Sequence, residues 1–177
     1  MSKSVVRRVG IVGLGKMGQP MARHLRKAGF EVTACDIDER ARQEAERSGI
    51  AVGPDPRAVA ERSDFVIVVV DFDKEAETVV LAADGIAAAA REGLIVGIAS
   101  TVAPRTMQRL ARGLAGTGIV LLDMPLTRGE PAAEAGEMLV MAGGDAAAFE
   151  ACRPALQSFA TTSASWARAR SARWSTT

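Results

Sequence analysis

Three glycines and one acid are the residues of this chain whose types and spacing could do chemistry. Gly13, Gly15 and Gly18 stand in the hexapeptide Gly13-Leu14-Gly15-Lys16-Met17-Gly18, directly after the apolar run Val9 to Val12 and just ahead of a segment with helical period. To hold a pyrophosphate, each glycine has its own task. Gly13 permits the tight turn off a strand, Gly15 lets the backbone approach the phosphates, and Gly18 lets the following helix pack closely on the sheet. The helix N-terminus then presents free N–H groups and the positive end of its dipole, each such interaction being worth roughly 0.3–1 kcal/mol. Asp36 lies at the tip of a second apolar run, near the offset of about 20 residues at which a carboxylate accepts hydrogen bonds from ribose hydroxyls. Leu14, Lys16 and Met17 share the turn; for Lys16, contact with the pyrophosphate and plain exposure stand as equal alternatives. The ligand these groups suit is a dinucleotide. A carboxylate at Asp36 would oppose a 2′-phosphate by roughly 1–4 kcal/mol at surface dielectrics, which favours NAD over NADP. Arg40, the cation that could offset this, begins a helix and reads as solvated.

Elements must position these groups. Strand-like runs recur at Val9 to Val12, Glu31 to Cys35, Phe65 to Val70, Leu94 to Ala99 and Ile119 to Leu122. They are continuously apolar, as strands covered on both faces must be. Between them, helical patterning predicts helices at Met17 to Lys27, Glu39 to Ser48, Lys74 to Ala82 and Pro104 to Leu114, with a further helical stretch at Ile86 to Ala90. Such alternation implies right-handed crossovers and an α/β, doubly wound, mostly parallel Rossmann-type sheet, with ligands at the carboxyl ends of the strands. Gly13, Asp36, Val70, Ser100 and Asp123 all fall there.

The bulk numbers set outer bounds. A chain of 177 residues, 48% hydrophobic and 24% charged, has the length and composition of one globular domain. Cys35 and Cys152 form no redox or metal-ligand spacing, no metal site is expected, and the N-terminus lacks a secretory pattern, so the expected location is the cytoplasm. The longest apolar run is too short to span a bilayer. Net charge is +1, and the last fifteen residues carry Arg168, Arg170 and Arg173 without an acid. That tail lacks the folded basic face a nucleic-acid partner requires, and none is expected. His24, the single histidine, lies within the first helix and reads as structural. Glu130 and Glu134, four apart, read as one solvated helical face.

Two later segments, Ile98-Ala-Ser-Thr-Val-Ala-Pro104 and Asp123-Met-Pro-Leu-Thr-Arg-Gly-Glu-Pro-Ala-Ala-Glu-Ala-Gly136, narrow the reading. With the start Gly10 to Gly18 followed by Met21-Ala22, and with Met141-Ala-Gly-Gly-Asp145, they make the chain resemble the N-terminal half of a β-hydroxyacid dehydrogenase, the family of 3-hydroxyisobutyrate and 6-phosphogluconate dehydrogenases. The resemblance runs from about Val5 to Thr162. It implies an NAD(P)-binding domain over residues 1–162 and hydride transfer between nicotinamide and a small 3-hydroxy acid or its semialdehyde. It further implies Thr101 against the nicotinamide ribose, Ser100 beside the reacting centre, Val70 and Asp71 along the cofactor, and Thr127, Arg128 and Gly129 on a carboxylate-bearing substrate. An imine reductase-like member is the alternative within the family, and a non-catalytic NAD-binding module is the alternative outside it.

Two departures from the family pattern stand out. The family's substrate turn is Ser-Gly-Gly, whereas this chain has Thr127-Arg128-Gly129; Arg128 is open to a bidentate grip on the substrate carboxylate or to pointing into solvent. Val70-Asp71 stands where the family commonly has an apolar residue and proline. The family's proton-transfer group is a lysine in a Lys-x-x-Asn-Asn-type motif opening a long helix of a second, all-helical domain that also builds most of the subunit interface. No lysine follows Lys74 here, so no catalytic residue is assigned, and the 177 residues are expected to bind cofactor without turnover. An exposed apolar face is expected where that domain would pack. After Thr162 the chain has no Val, Ile, Leu or Met, and an unpacked tail is expected over 163–177. A one-base shift of reading frame through Ala172 to Thr177 is compatible with Lys-Val-Val-Asn-Asn, so the tail reads as a possible frameshift product.

Overall fold

Six parallel strands with helices between them form the body of the molecule in a computed structural model, which describes residues 6–163. The chain runs β1 (Arg8–Val12), α1 (Gly18–Lys27), β2 (Glu31–Cys35), α2 (Glu39–Arg47), β3 (Ala51–Val52), α3 (Pro56–Glu61), β4 (Phe65–Val68), α4 (Asp73–Leu81), a 3-10 turn at Ile86–Ala89, β5 (Ile95–Ile98), α5 (Pro104–Gly113) and β6 (Val120–Asp123). It continues through β7 (Leu126–Thr127), α6 (Gly129–Ala135), β8 (Met138–Met141), α7 (Ala146–Leu156) and β9 (Ala160–Ser163). The main sheet has the order β3-β2-β1-β4-β5-β6, and a second sheet has the order β7-β8-β9.

The order places the switch of direction between β1 and β4, the crevice where a doubly wound sheet takes its ligands. Register makes the strand tips level, because Val12 stands opposite both Cys35 and Val68, Val68 opposite Ile98, and Ile98 opposite Asp123. Every residue of β4 and β5 is buried, which explains why both read as unbroken apolar runs. Phe65, Ile67, Ile11 and Leu25 belong to one apolar cluster, and Val66, Val68, Val96 and Leu110 to another.

The expected elements are all present, with trimmed ends. The run to Val70 stops as a strand at Val68, and the helical stretch from Ile86 is a 3-10 turn. The second sheet and β3 were not foreseen. Asp123 and Gly143 exchange backbone hydrogen bonds at 3.0 and 2.8 Å, joining the tip of β6 to the Met141-to-Asp145 segment and so the two sheets to each other. The unpacked tail expected from 163 lies outside the described residues, apart from Ser163 itself at the end of β9. Among the described residues, no helix is long and apolar enough to cross a membrane.

The lower end of the sheet is fastened by Asp64, which begins β4's turn. Its carboxylate accepts from the backbone amides of Arg7 and Arg8 at 3.1 and 3.0 Å and from the Arg8 guanidinium. Partial burial opposes its charge, but the Arg8 guanidinium and these two amides outweigh burial and hold the carboxyl below its usual range. A depressed folded-state value means that the stabilisation is whole at neutral pH and is lost as pH falls below about 4. Because Arg8 is half-exposed, the effect is discounted for solvent, and Asp64→Asn is expected to lower the unfolding free energy by about 1–2 kcal/mol at pH 7. Urea melts at pH 7 and pH 3 check this: the gap should narrow in acid, and an equal gap at both would assign it to packing instead of charge.

Candidate cofactor and substrate site

The glycine turn is the best-determined part of the site. Gly13 has φ +100°, and a Cβ there would lie 1.9 Å from the Val69 carbonyl oxygen; one on Gly18 would lie 1.9 Å from the Gly13 carbonyl oxygen. Both positions are therefore closed to any side chain by the fold itself. Gly15 differs, since a Cβ there meets no atom within 4 Å and its φ is not in the left-handed region. Nothing in the fold demands glycine at 15. The amides of Gly15, Lys16 and Met17 find no acceptor among the described residues. Open space in front of unpaired N–H groups at the start of a ten-residue helix is what a pyrophosphate requires, so these residues fit a dinucleotide.

Asp36 holds this turn in place. Its Oδ2 accepts from the Leu14 amide at 2.5 Å and its Oδ1 from the Asp38 amide at 2.8 Å, tying the tip of β2 to the turn above β1. A carboxylate offers about four lone-pair sites, so two remain for ribose hydroxyls. Asp38 then caps α2 by accepting from the Arg40 amide at 2.9 Å.

Ser100 sits at the tip of β5 and is buried; its Oγ accepts the Val70 amide at 2.8 Å, while Thr101 beside it is exposed to the cleft. The absence of proline at Asp71 also has a structural answer. The Asp71 amide, which a proline would lack, and the Phe72 amide both donate to Glu75 Oε2, at 3.1 and 3.2 Å, so the loop above β4 is held by a carboxylate from the first turn of α4. Asp73 accepts from the Ala103 amide at 2.8 Å and from the Thr106 hydroxyl, bracing the Ser100–Ala103 segment from the other side. Glu75 and Asp73 were not singled out from the sequence; an acid three residues after the residue that starts a helix was the available signal.

The turn expected to meet substrate, Thr127 to Gly129, lies on β7 and the start of α6. Thr127 is half-buried, and Arg128 and Gly129 are exposed. Arg128 has φ +80°, the one non-glycine residue with positive φ among the described residues. Its Nη1 donates to the Glu137 carbonyl at 3.2 Å, closing the β7–α6–β8 excursion, and the residue is exposed. Glu130 and Glu134 are both exposed, as expected of a solvated face, and each also has a partner on or beside α1. Lys16 Nζ lies 3.0 Å from Glu130, Arg23 Nη2 lies 2.8 Å from Glu134, and His24 Nε2 lies 3.0 Å from the Glu134 carbonyl. Lys16, His24 and both glutamates thus dock α6 onto α1 and its turn. Asp123, at the tip of β6, is half-buried, and burial pushes its carboxyl above the ordinary range. No cluster of His, Cys, Asp or Glu suited to a metal occurs among the described residues. Burial drives the Cys35 thiol up to about 12, which keeps it unreactive, and the Cys152 thiol is raised for the same reason.

A glycine turn, an acid at the tip of β2 and level strand tips on this strand order define a dinucleotide-binding domain. Residues 8–167 match the NAD binding domain of 6-phosphogluconate dehydrogenase, and the chain belongs to that family. It is 35% identical over 154 residues to an L-threonate dehydrogenase of Cupriavidus necator, covering 87% of this chain and 52% of that one. It is 32% identical over 149 residues to the mitochondrial 3-hydroxyisobutyrate dehydrogenase of Mus musculus, covering 84% and 44%. A crystal structure of 3-hydroxyisobutyrate dehydrogenase from Salmonella typhimurium superposes with a TM-score of 0.81 at 31% identity, over 88% of this chain and 54% of that one. The chain spans about half the length of the curated relatives it matches.

The glycines separate fold from function in a measurable way. Gly18→Ala is expected to cost about 2–3 kcal/mol of stability through overlap with the Gly13 carbonyl. Gly15→Ala should leave stability within about 0.5 kcal/mol and weaken NADH about tenfold or more, because the new methyl stands where the phosphates must approach. Urea melts and NADH fluorescence titrations read the two effects; loss of stability without loss of binding at Gly15 would contradict the assignment.

Proposed function

We propose that this chain is the cofactor-holding half of an NAD-dependent dehydrogenase acting on a small 3-hydroxy acid or its semialdehyde, and that the 177 residues by themselves bind NAD without turning over. The observation that carries the reading is Gly15, a glycine with no structural reason for being one, in front of three unpaired amides. Gly13 to Gly18 hold the pyrophosphate, with Leu14, Lys16 and Met17 as the intervening contacts. Asp36 takes the adenosine ribose, Val70 and Asp71 border the cofactor, and Thr101 takes the nicotinamide ribose. When bound, the nicotinamide supplies or accepts the hydride at the carbinol carbon.

Ser100, Thr127, Arg128 and Gly129 form the substrate side. The relatives named L-threonate and 3-hydroxyisobutyrate dehydrogenases support a carboxylate-bearing hydroxy acid. Imine reductase structures at 20% and 16% identity support the fold alone, so the hydroxy-acid reading is preferred. Arg128 Nη1 is engaged with Glu137, and the remaining guanidinium N–H groups suit a carboxylate. With no lysine after Lys74, the chain does not supply the group the family resemblance assigns to proton transfer, help that is worth roughly 10²–10⁴ in rate. A location in the cytoplasm, a homo-oligomeric full-length enzyme and the absence of a nucleic-acid partner complete the proposal.

Asp36 sets the cofactor preference. NADH should bind at least about fivefold tighter than NADPH, the lower bound of the like-charge penalty. Fluorescence titration with both nucleotides checks this, and tighter NADPH binding overturns it. In the same preparation, incubation with NAD and a panel of 3-hydroxy acids should show no NADH formation at 340 nm; sustained turnover would refute the role given to the lysine.

A further inference from the structure

α5 begins without a cap of its own. The residue before Pro104 is Ala103, which has no side-chain oxygen, and the proline brings no N–H to the first turn. An acid from the neighbouring helix takes the place of the cap. Asp73, the first residue of α4, accepts from the Ala103 amide at 2.8 Å through Oδ1 and from the Thr106 hydroxyl. Its carboxylate therefore stands at the positive end of α5, where a negative charge is favoured. Bonds from Thr106 and Ala103 hold its carboxyl below the ordinary range. Two residues further on, Glu75 accepts from the Asp71 and Phe72 amides, so the first turn of α4 fixes the loop on its own side and, through Asp73, the loop across from it.

The segment between β5 and α5 is thus held at both ends and open in the middle. At its start the Ala99 amide donates to the Val68 carbonyl at 2.9 Å, and Ser100 Oγ accepts the Val70 amide at 2.8 Å. At its end stands the Asp73 bond to Ala103. Between these anchors lies Thr101, which is exposed and whose hydroxyl bonds no protein group among the described residues. A hydroxyl free to meet a ligand must be placed within about 0.5 Å to bond it well. For Thr101 that placement comes from Ser100 on one side and from Asp73, two residues along, on the other.

We propose that Asp73 is a positioning residue for the nicotinamide half of the cofactor: by capping α5 from the neighbouring helix, it sets Thr101 against the nicotinamide ribose. The inference rests on the cofactor reading above, in which Thr101 meets that ribose, and it gives Asp73, which touches no ligand, a share in selecting ligands that carry nicotinamide. The adenosine half is independent of this bond. Asp36 and the glycine turn belong to β2 and β1, with β4 between them and the segment after β5, and they are held by their own bonds. An acid that only fastened α4 to α5 would affect both halves of the cofactor alike, or neither. Asp73 affects one.

Calorimetric titration of the intact chain with NADH and with ADP-ribose, which carries the adenosine and both phosphates but no nicotinamide, separates these outcomes. Asp73→Ala should weaken NADH about 5- to 20-fold and leave ADP-ribose within about twofold. Asp73→Asn keeps an oxygen for the Ala103 amide and should return NADH to within about threefold of the unaltered protein. Thr101→Val should weaken NADH by a similar factor to Asp73→Ala, and combining the two should add less than about twofold, because the aspartate acts through the threonine. In the unaltered protein, NADH should slow hydrogen exchange at the Ala103 amide more than ADP-ribose does, a readout that needs no variant. Parallel loss of both ligands in Asp73→Ala, no loss of either, full additivity with Thr101→Val, or equal protection of Ala103 by the two ligands would each overturn the role given to Asp73, while binding of ADP-ribose by the unaltered protein keeps the cofactor reading. If the unaltered protein binds neither ligand, both fall.

Discussion

The structure depends on a close approach of backbone to backbone at the tip of β1. The Gly13 amide donates to the Cys35 carbonyl at 3.0 Å, and the missing Cβ atoms of Gly13 and Gly18 make room for the carbonyls of Val69 and Gly13. β2 and β4 can reach level with β1, and α1 can leave at the required angle, only because two side chains are absent. Asp36 completes the constraint from above by bonding Leu14. Strand order, crevice and the direction of α1 all follow from this junction.

The site it creates is built from amides more than from cations. Lys16 is paired with Glu130 and Arg23 with Glu134, so the charged residues near the turn serve to dock α6 on α1. These are exposed pairs, each worth about 0–1 kcal/mol, and their value lies in orientation. In the proposed reading the phosphates are left to N–H groups and a helix terminus, which need no side-chain rotamer to be fixed. The same economy holds on the substrate side, where Ser100, Glu75 and Asp73 spend their oxygens on the backbone of the loops above β4 and β5. Carboxylates thus position the walls of the cleft.

Much of this was legible in the sequence wherever burial is two-sided. β1, β2, β4 and β5 read as apolar runs because both of their faces are covered, β6 reads as one although it is an edge strand with only Leu122 buried, and the glycine spacing with Asp36 named the ligand class. β3 escaped because Ala51–Val52 is too short to show a period. The second sheet escaped because β7 is a two-residue strand and β8 is only partly buried. Glu130 and Glu134 were read by their own helix spacing, whereas their partners lie on the glycine turn and α1 more than a hundred residues earlier, a relation no local pattern carries. Arg128 was weighed as ligand group or solvated group; its bond to Glu137 depends on a left-handed backbone that spacing does not reveal.

The central claim is that the turn from Gly13 to Gly18 holds the cofactor's pyrophosphate through its free amides. Amide-resolved NMR during titration with NAD tests it most directly. The account predicts that the Gly15, Lys16 and Met17 amide resonances move furthest and saturate together, with Leu14 following through its bond to Asp36. Saturable shifts concentrated elsewhere on the molecule, with these three amides unmoved, would contradict it.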